Sequence, residues 1–165
     1  MRSAGTIASI GAHDLQEIDS LLASFLAETR ARSVLLVDRS GRVLAMRGDT
    51  GGFDTITFAS LAAADYSAGG QIAELLGEAE FASLYHHGDR QSLILADLSG
   101  WAILAALFDH RTTLGMVRVK TKGIAPRFAA VFSEIARRGP AGPVVHVEAG
   151  WADDAEREID RLFTE

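Results

Sequence analysis

The stretch from Phe53 to Glu78, FDTITFASLAAADYSAGGQIAELLGE, constrains the fold more than any other part of the chain. At roughly 100° per residue, Phe58, Leu61, Ala64, Ala68, Ile72, Leu75 and Leu76 share one side of a helix, the stripe expected to face a core. Ala59, Ala63, Tyr66, Ser67, Gly70 and Glu74 share the other side and are expected to point away from that core. A helix back bathed in water ordinarily carries Lys and Glu, whose long side chains favour helix and stay solvated; these residues are mostly small instead. Gly69 and Gly70 each cost roughly 1 kcal/mol relative to alanine in a helix interior, and close approach of another backbone would offset that. The six outward residues are therefore the candidate partner-binding positions. A plainer account is codon bias: 14 of the 16 basic residues are arginine, as a GC-rich genome favours, and such genomes are also alanine-rich.

The remaining composition narrows the function classes. A chain of 165 residues that is 48% hydrophobic suffices for one domain with its own core and a short appendage. It has no cysteine, which excludes a disulfide scaffold, a thiol nucleophile and thiolate metal sites, and suits a reducing cytoplasm. No apolar run approaches the roughly 18 residues of a membrane span. The opening MRSAGTIASIGAHD lacks the apolar core of a signal peptide. A net charge of −6 without a basic cluster argues against nucleic acid. The run Arg118, Lys120, Lys122 reads as one solvated helix face.

In chain order, residues 1–13 show no period and are expected to be flexible. Asp14 and Glu17 resemble a capping box, followed by Leu15, Ile18, Leu21, Leu22, Phe25 and Leu26 at helical spacing. Val34–Val37 and Val43–Met46 are strand-like runs around Asp38-Arg39-Ser40-Gly41, with Gly41 able to take the positive φ of a hairpin turn. The first strand is apolar almost throughout and is expected to sit centrally with both faces covered. The loop GDTGG lacks the Gly-Lys-Ser/Thr of a phosphate-binding loop. Gly77 is positioned to close the long helix as its left-handed cap. Strands around 82–87, 92–96 and 101–108 form a meander, and Thr112 or Thr113 caps a last long helix to Arg138, expected to kink or restart near Gly123–Pro126. Residues 139–152 read as a Gly/Pro linker and 153–165 as a C-terminal helix. The order α-β-β-α-β-β-β-α gives an α+β domain over 14–138: a five-stranded antiparallel sheet sandwiched between helices, the second on one face, the first and third on the other.

That order, together with SVLLVDRSGRVLA, the helix ending QIAELLGE and the segment LGMVRV, resembles the roadblock / dynein light-chain family. Phe81, the run His87-Gly88-Asp89-Arg90 and the C-terminal helix behind a linker resemble its bacterial MglB-type branch of GTPase-activating proteins. Gly123 and Pro126 depart from that family's continuous last helix. The resemblance implies a homodimer whose third strands extend the sheet and whose second helices lie side by side, forming a platform for a small Ras-like GTPase of the MglA type. Carried over, Ala63 and Ser67 are the small positions that let the partner approach. It also implies a regulator rather than an enzyme, in which the GTPase supplies the catalytic residues. An adaptor without effect on turnover, or a small-ligand sensor, are the other classes this architecture suits.

No catalytic constellation emerges from the residues themselves, and no cofactor or metal is implied. Arg39, Arg42, Arg47, Arg90 and Arg111 are loop or strand-end arginines that could act in trans on a GTPase, but activators of the type resembled reshape the GTPase's own switch residues, so no arginine finger is assigned. His86 and His87 point to opposite faces of a strand and cannot easily share an ion. Asp109-His110 lacks a nucleophile elbow to complete a triad.

Overall fold

The computed structural model describes residues 10–138. Of the start expected to be flexible, 1–13, residues 1–9 lie outside them, as do the linker and the C-terminal helix, whereas Ala12 and His13 open the first helix. The order is α1 (Ala12–Thr29), β1 (Ser33–Asp38), β2 (Val43–Gly48), α2 (Thr55–Leu75), β3 (Ser83–His87), β4 (Ser92–Leu98), β5 (Ala102–Phe108) and α3 (Leu114–Arg138). All the strands pair antiparallel in the order β2-β1-β5-β4-β3. The expected α+β architecture is therefore the observed one, with β2 and β3 as its edges.

Strand alternation divides the interior in two. Val34 and Leu36 of β1, Ile94 and Leu98 of β4, and Leu104 and Phe108 of β5 face α1 and α3, where Phe25, Phe128 and Phe132 complete the larger core. Leu35, Val37, Leu95, Ile103 and Ala105 face α2. β1 is buried along its whole length, as its unbroken apolar run requires.

Local chemistry sets the element ends. The β1–β2 turn is built on buried Asp38, whose Oδ1 accepts from the Ser40 amide (2.9 Å), the Ser40 hydroxyl (2.6 Å) and the Arg42 amide (2.9 Å). Gly41 has φ +88°, and a Cβ there would meet the Ser60 Cα of α2 at 2.9 Å, so this turn needs glycine twice over. Gly77 ends α2 in a Schellman motif: the Glu78 amide donates to the Ala73 carbonyl and the Gly77 amide to that of Glu74. α3 is capped by Thr113, whose hydroxyl accepts from the Met116 amide at 3.2 Å.

Two expectations change. α1 begins at Ala12, so Asp14 is the third helical residue and not the cap; its carboxylate accepts from the Gly11 amide at 2.9 Å and pairs with Arg138 at the far end of α3. α3 continues through Gly123 and Pro126 as a single helix. Pro126 is exposed, as is Lys122, whose carbonyl it leaves without a helical donor.

Candidate functional site

The helix that organises the sequence also carries the site, but its buried face is not the one expected. Ala59, Ala62, Ala63, Tyr66, Gly69 and Ala73 are the buried residues of α2. Ala59 is 0% and Ala63 8% exposed, packed with Leu35, Val37, Leu95 and Ile103. The stripe expected in the core lies outside: Leu61 is 64%, Ile72 51%, Leu75 86% and Leu76 69% exposed, with Ala64 and Ala68 exposed between them. Only Phe58 of that stripe turns inward, half-buried against Phe53. The expected core stripe thus faces outward except for Phe58, and of the six residues expected outside, Ala59, Ala63 and Tyr66 turn inward while Ser67 and Glu74 stay exposed.

The cause is volume. The sheet face below α2 already presents large branched side chains, so a helix lying on it fits best with alanine and glycine inward. A Cβ at Gly69 would come within 2.8 Å of Leu84 of β3, so the close approach at the glycine pair is to the chain's own sheet. Gly70 has open space around it. Of the six candidate partner-binding residues, Ala59, Ala63 and Tyr66 are therefore buried within the subunit. Ser67 and Glu74 are exposed and Gly70 is half-buried, along one flank of the outer stripe.

That flank borders a cleft of about 310 Å³ between α2, the α2–β3 loop and the β1–β2 turn. Arg39 reaches across it, its guanidinium 5.0 Å above the Tyr66 ring and paired with Asp97 of the β4–β5 hairpin. The Tyr66 hydroxyl donates to the Phe81 carbonyl at 3.2 Å, which ties down the loop leading into β3. Burial, reinforced by the carboxylates of Asp97 and Glu80, pushes that hydroxyl up to about 12, so it remains a donor at neutral pH. Sequence reasoning missed this cluster because Arg39, Tyr66 and Asp97 lie on three elements with no shared spacing.

Along the free edge, His86 Nε2 lies 2.6 Å from Asp65 of α2, which joins the outer helix face to β3. On the opposite sheet face His87 Nδ1 meets the Tyr85 hydroxyl (3.1 Å) and Ser92 Oγ (3.1 Å). The two histidines thus diverge as adjacent strand residues must. Among the described residues no group of three or more His, Asp or Glu is placed to hold a metal ion. Arg39, Arg42, Arg47 and Arg111 pair with Asp97, Asp38, Asp19 and Asp109 respectively, whereas Arg90, in the β3–β4 hairpin, makes no ion pair among the described residues. No described helix is long and apolar enough to cross a membrane.

An antiparallel β2-β1-β5-β4-β3 sheet with one helix on one face and two on the other, and an apolar outer helix beside an open edge, defines the class. The Roadblock/LC7 domain profile matches residues 17–108, and the chain belongs to that family. Within it, the chain is similar to Myxococcus xanthus MglB: 30% identity over 77% of this chain and 96% of that one, with a TM-score of 0.72. It is likewise similar to the gliding protein MglB of Thermus thermophilus, at 32% identity over 77% and 96% with a TM-score of 0.69. A third similar structure, described as MglB with tetrameric arrangement, shows 33% identity over 78% and 96%, with a TM-score of 0.69. Among curated protein sequences none matches.

Proposed function

We propose that the chain is a homodimeric regulator of a small Ras-like GTPase of the MglA type, acting in the cytoplasm and stimulating GTP hydrolysis. In this reading two copies set their α2 helices side by side through Leu61, Ala64, Ala68, Ile72 and Leu75, and join their β3 edges into a continuous sheet. Ser67, Gly70 and Glu74 then flank the paired helices on the surface offered to the GTPase. Catalysis resides in the partner, and the dimer favours a hydrolysis-competent arrangement of the partner's switch segments. The similarity to MglB supports the choice of partner.

The observation that carries the reading is the outward apolar stripe. Burying Leu61, Ile72 and Leu75 from their present exposure is worth roughly 4 kcal/mol per protomer, taking about 1.5–3 kcal/mol for each side chain fully covered. That is a reasonable share of what a stable dimer needs after ordering costs. A stripe this apolar on a lone chain would instead promote aggregation.

Replacing Leu61 and Ile72 with glutamate puts charge on surface positions only, so the circular dichroism spectrum should not change. The mass by light scattering should fall from two chains to one, and stimulation of GTP hydrolysis by an MglA-type GTPase should be lost. A wild-type chain that is monomeric at tens of micromolar refutes the dimer. A wild-type dimer that binds the GTPase at saturation without changing its turnover refutes activation and leaves an adaptor.

A further inference from the structure

Charge is distributed unevenly along the chain. Between Arg47 and Arg90 lie seven of its 22 carboxylates and none of its 16 lysines and arginines. That run takes in α2, the loops on either side of it and β3. Asp49 pairs with Arg32, Asp65 with His86, and Asp54 caps α2. The other four, Glu74, Glu78, Glu80 and Asp89, are exposed and make no ion pair among the described residues.

Two of these four line the cleft of about 310 Å³ beside α2, Glu74 from the last turn of the helix and Glu80 from the α2–β3 loop. The cleft's own cation does not neutralise them, since Arg39 is paired with Asp97. The rest of the lining suits an aliphatic stem. Phe81 and Leu84 are half-buried in it, and nothing lies within 4 Å of where a side chain at Gly70 would stand. Two carboxylates beside an apolar wall match a lysine or arginine, which lays its methylenes on such a wall and keeps its charge at the rim. A second copy of this chain would bring the same carboxylates to the cleft and be repelled there.

Building on the GTPase reading above, we infer that this cleft receives a lysine or arginine side chain of the GTPase, its stem against Phe81 and Leu84 and its charge between Glu74 and Glu80. The cleft is bounded by Ser67 and Gly70, on the flank offered to that partner, so the contact is continuous with it. An acidic rim also speeds the encounter with a basic partner surface, and both effects weaken as salt rises. One helix then serves two partners by different forces: its apolar outer stripe holds the second copy, and its acidic flank selects the GTPase by charge.

The test compares two double variants of the full chain for binding to an MglA-type GTPase. Glu74→Gln with Glu80→Gln empties the cleft of charge, and Glu78→Gln with Asp89→Asn removes the same net charge outside it. Both should keep the circular dichroism spectrum and the light-scattering mass of wild type. The cleft variant should bind about tenfold more weakly, the upper end of what two solvent-accessible ion pairs supply, while the control stays within about twofold of wild type. Raising salt from about 0.05 to 0.5 M, which shortens the Debye length from roughly 14 to 4 Å, should weaken wild-type binding and close the gap to the cleft variant. A cleft variant that binds within about twofold of wild type overturns the inference. So does an equal loss in the control, which makes the attraction one of overall charge, and so does a cleft variant that falls to a single chain, which assigns the two carboxylates to self-association. Absence of wild-type binding at low salt refutes the GTPase reading and this inference together.

Discussion

The reversed facing of α2 makes a contrast between two neighbouring residues decisive. Ala59 is 0% exposed beneath the helix and Leu61, two residues on, is 64% exposed above it. Ala59→Asp places a short carboxyl, too short to reach water, among Leu35, Val37, Leu95 and Ile103. To remain folded at pH 7 the group must protonate, which lifts its pKa about 3 units above the free value of about 3.9 and costs about 4 kcal/mol at 1.36 kcal/mol per unit. For a chain of this length that lowers the thermal midpoint by roughly 12 °C. Leu61→Asp exchanges a solvated leucine for a solvated carboxylate and costs about 1 kcal/mol, mostly in helix propensity. The pH dependence carries a further sign. A carboxyl whose folded pKa is raised destabilises the fold only where the unfolded chain ionises, so the Ala59→Asp penalty grows above about pH 4 and fades below it. Urea titrations at dilute protein, monitored by circular dichroism, separate these effects from any loss of self-association. An Ala59→Asp midpoint within about 0.5 kcal/mol of wild type, beside a Leu61→Asp loss of about 3 kcal/mol or more, would restore the opposite facing and remove the basis for the interface.

Asp38→Ala should cost about 2–3 kcal/mol, because the Ser40 and Arg42 donors around that buried carboxylate lose a charged acceptor. Burial works to raise the Asp38 pKa, yet the bonds from Ser40 and Arg42 outweigh it and the net shift is downward. Its stabilisation is therefore present above about pH 4 and lost as pH falls through the lower folded value, so wild type and Asp38→Ala should converge in acid urea titrations. Gly41→Ala should cost roughly 2–4 kcal/mol, from the left-handed φ of +88° and the 2.9 Å approach to Ser60 Cα, read as a thermal-midpoint drop with an unchanged native spectrum. The hairpin bond from the Gly88 amide to the Gln91 carbonyl sets the β3–β4 ladder alternation, so the His87 amide faces the open edge. His87→Pro should then leave the monomer folded while weakening self-association in sedimentation velocity, and an unaltered association constant would rule out edge pairing there.

The parts of the fold legible in the sequence were those where one physical rule acts alone. The unbroken apolar run of β1 required two covered faces, and both were found. Gly41 and Gly77 sit where a left-handed backbone was needed. Alternation and turn residues gave the hairpin and the meander in their observed order. Where two rules competed, the reading failed. At the start of α1, Asp14 suits both the cap and the first turn, and only the fold shows that it serves the turn and Arg138. In α2 the helical wheel separates two sides without saying which is inner, because both are apolar and the larger residues are not obliged to face the larger core. That choice depended on the volume already occupied by Leu35, Leu84, Leu95 and Ile103, which lie on four different strands.

The same volume argument explains why a helix with small inner residues and large outer ones is coherent rather than anomalous. Alanine at 59, 62, 63 and 73 brings the α2 backbone down onto the sheet, and Gly69 lets it pass over Leu84 at the edge strand. A helix held that close to an edge brings its outer stripe and the unpaired backbone of β3 onto one continuous surface, linked by the Asp65–His86 contact. Each feature alone is a liability in water: a large apolar patch invites nonspecific contact, and an open strand edge invites pairing. β3 lacks the lysine or proline that commonly blunts such an edge, its residues being Ser, Leu, Tyr, His and His. One two-fold contact along that surface would cover both liabilities together, whereas a partner covering only the helix would leave the edge open. The geometry that reversed the expected faces of α2 therefore strengthens the case for self-association and moves it onto Leu61, Ile72 and Leu75.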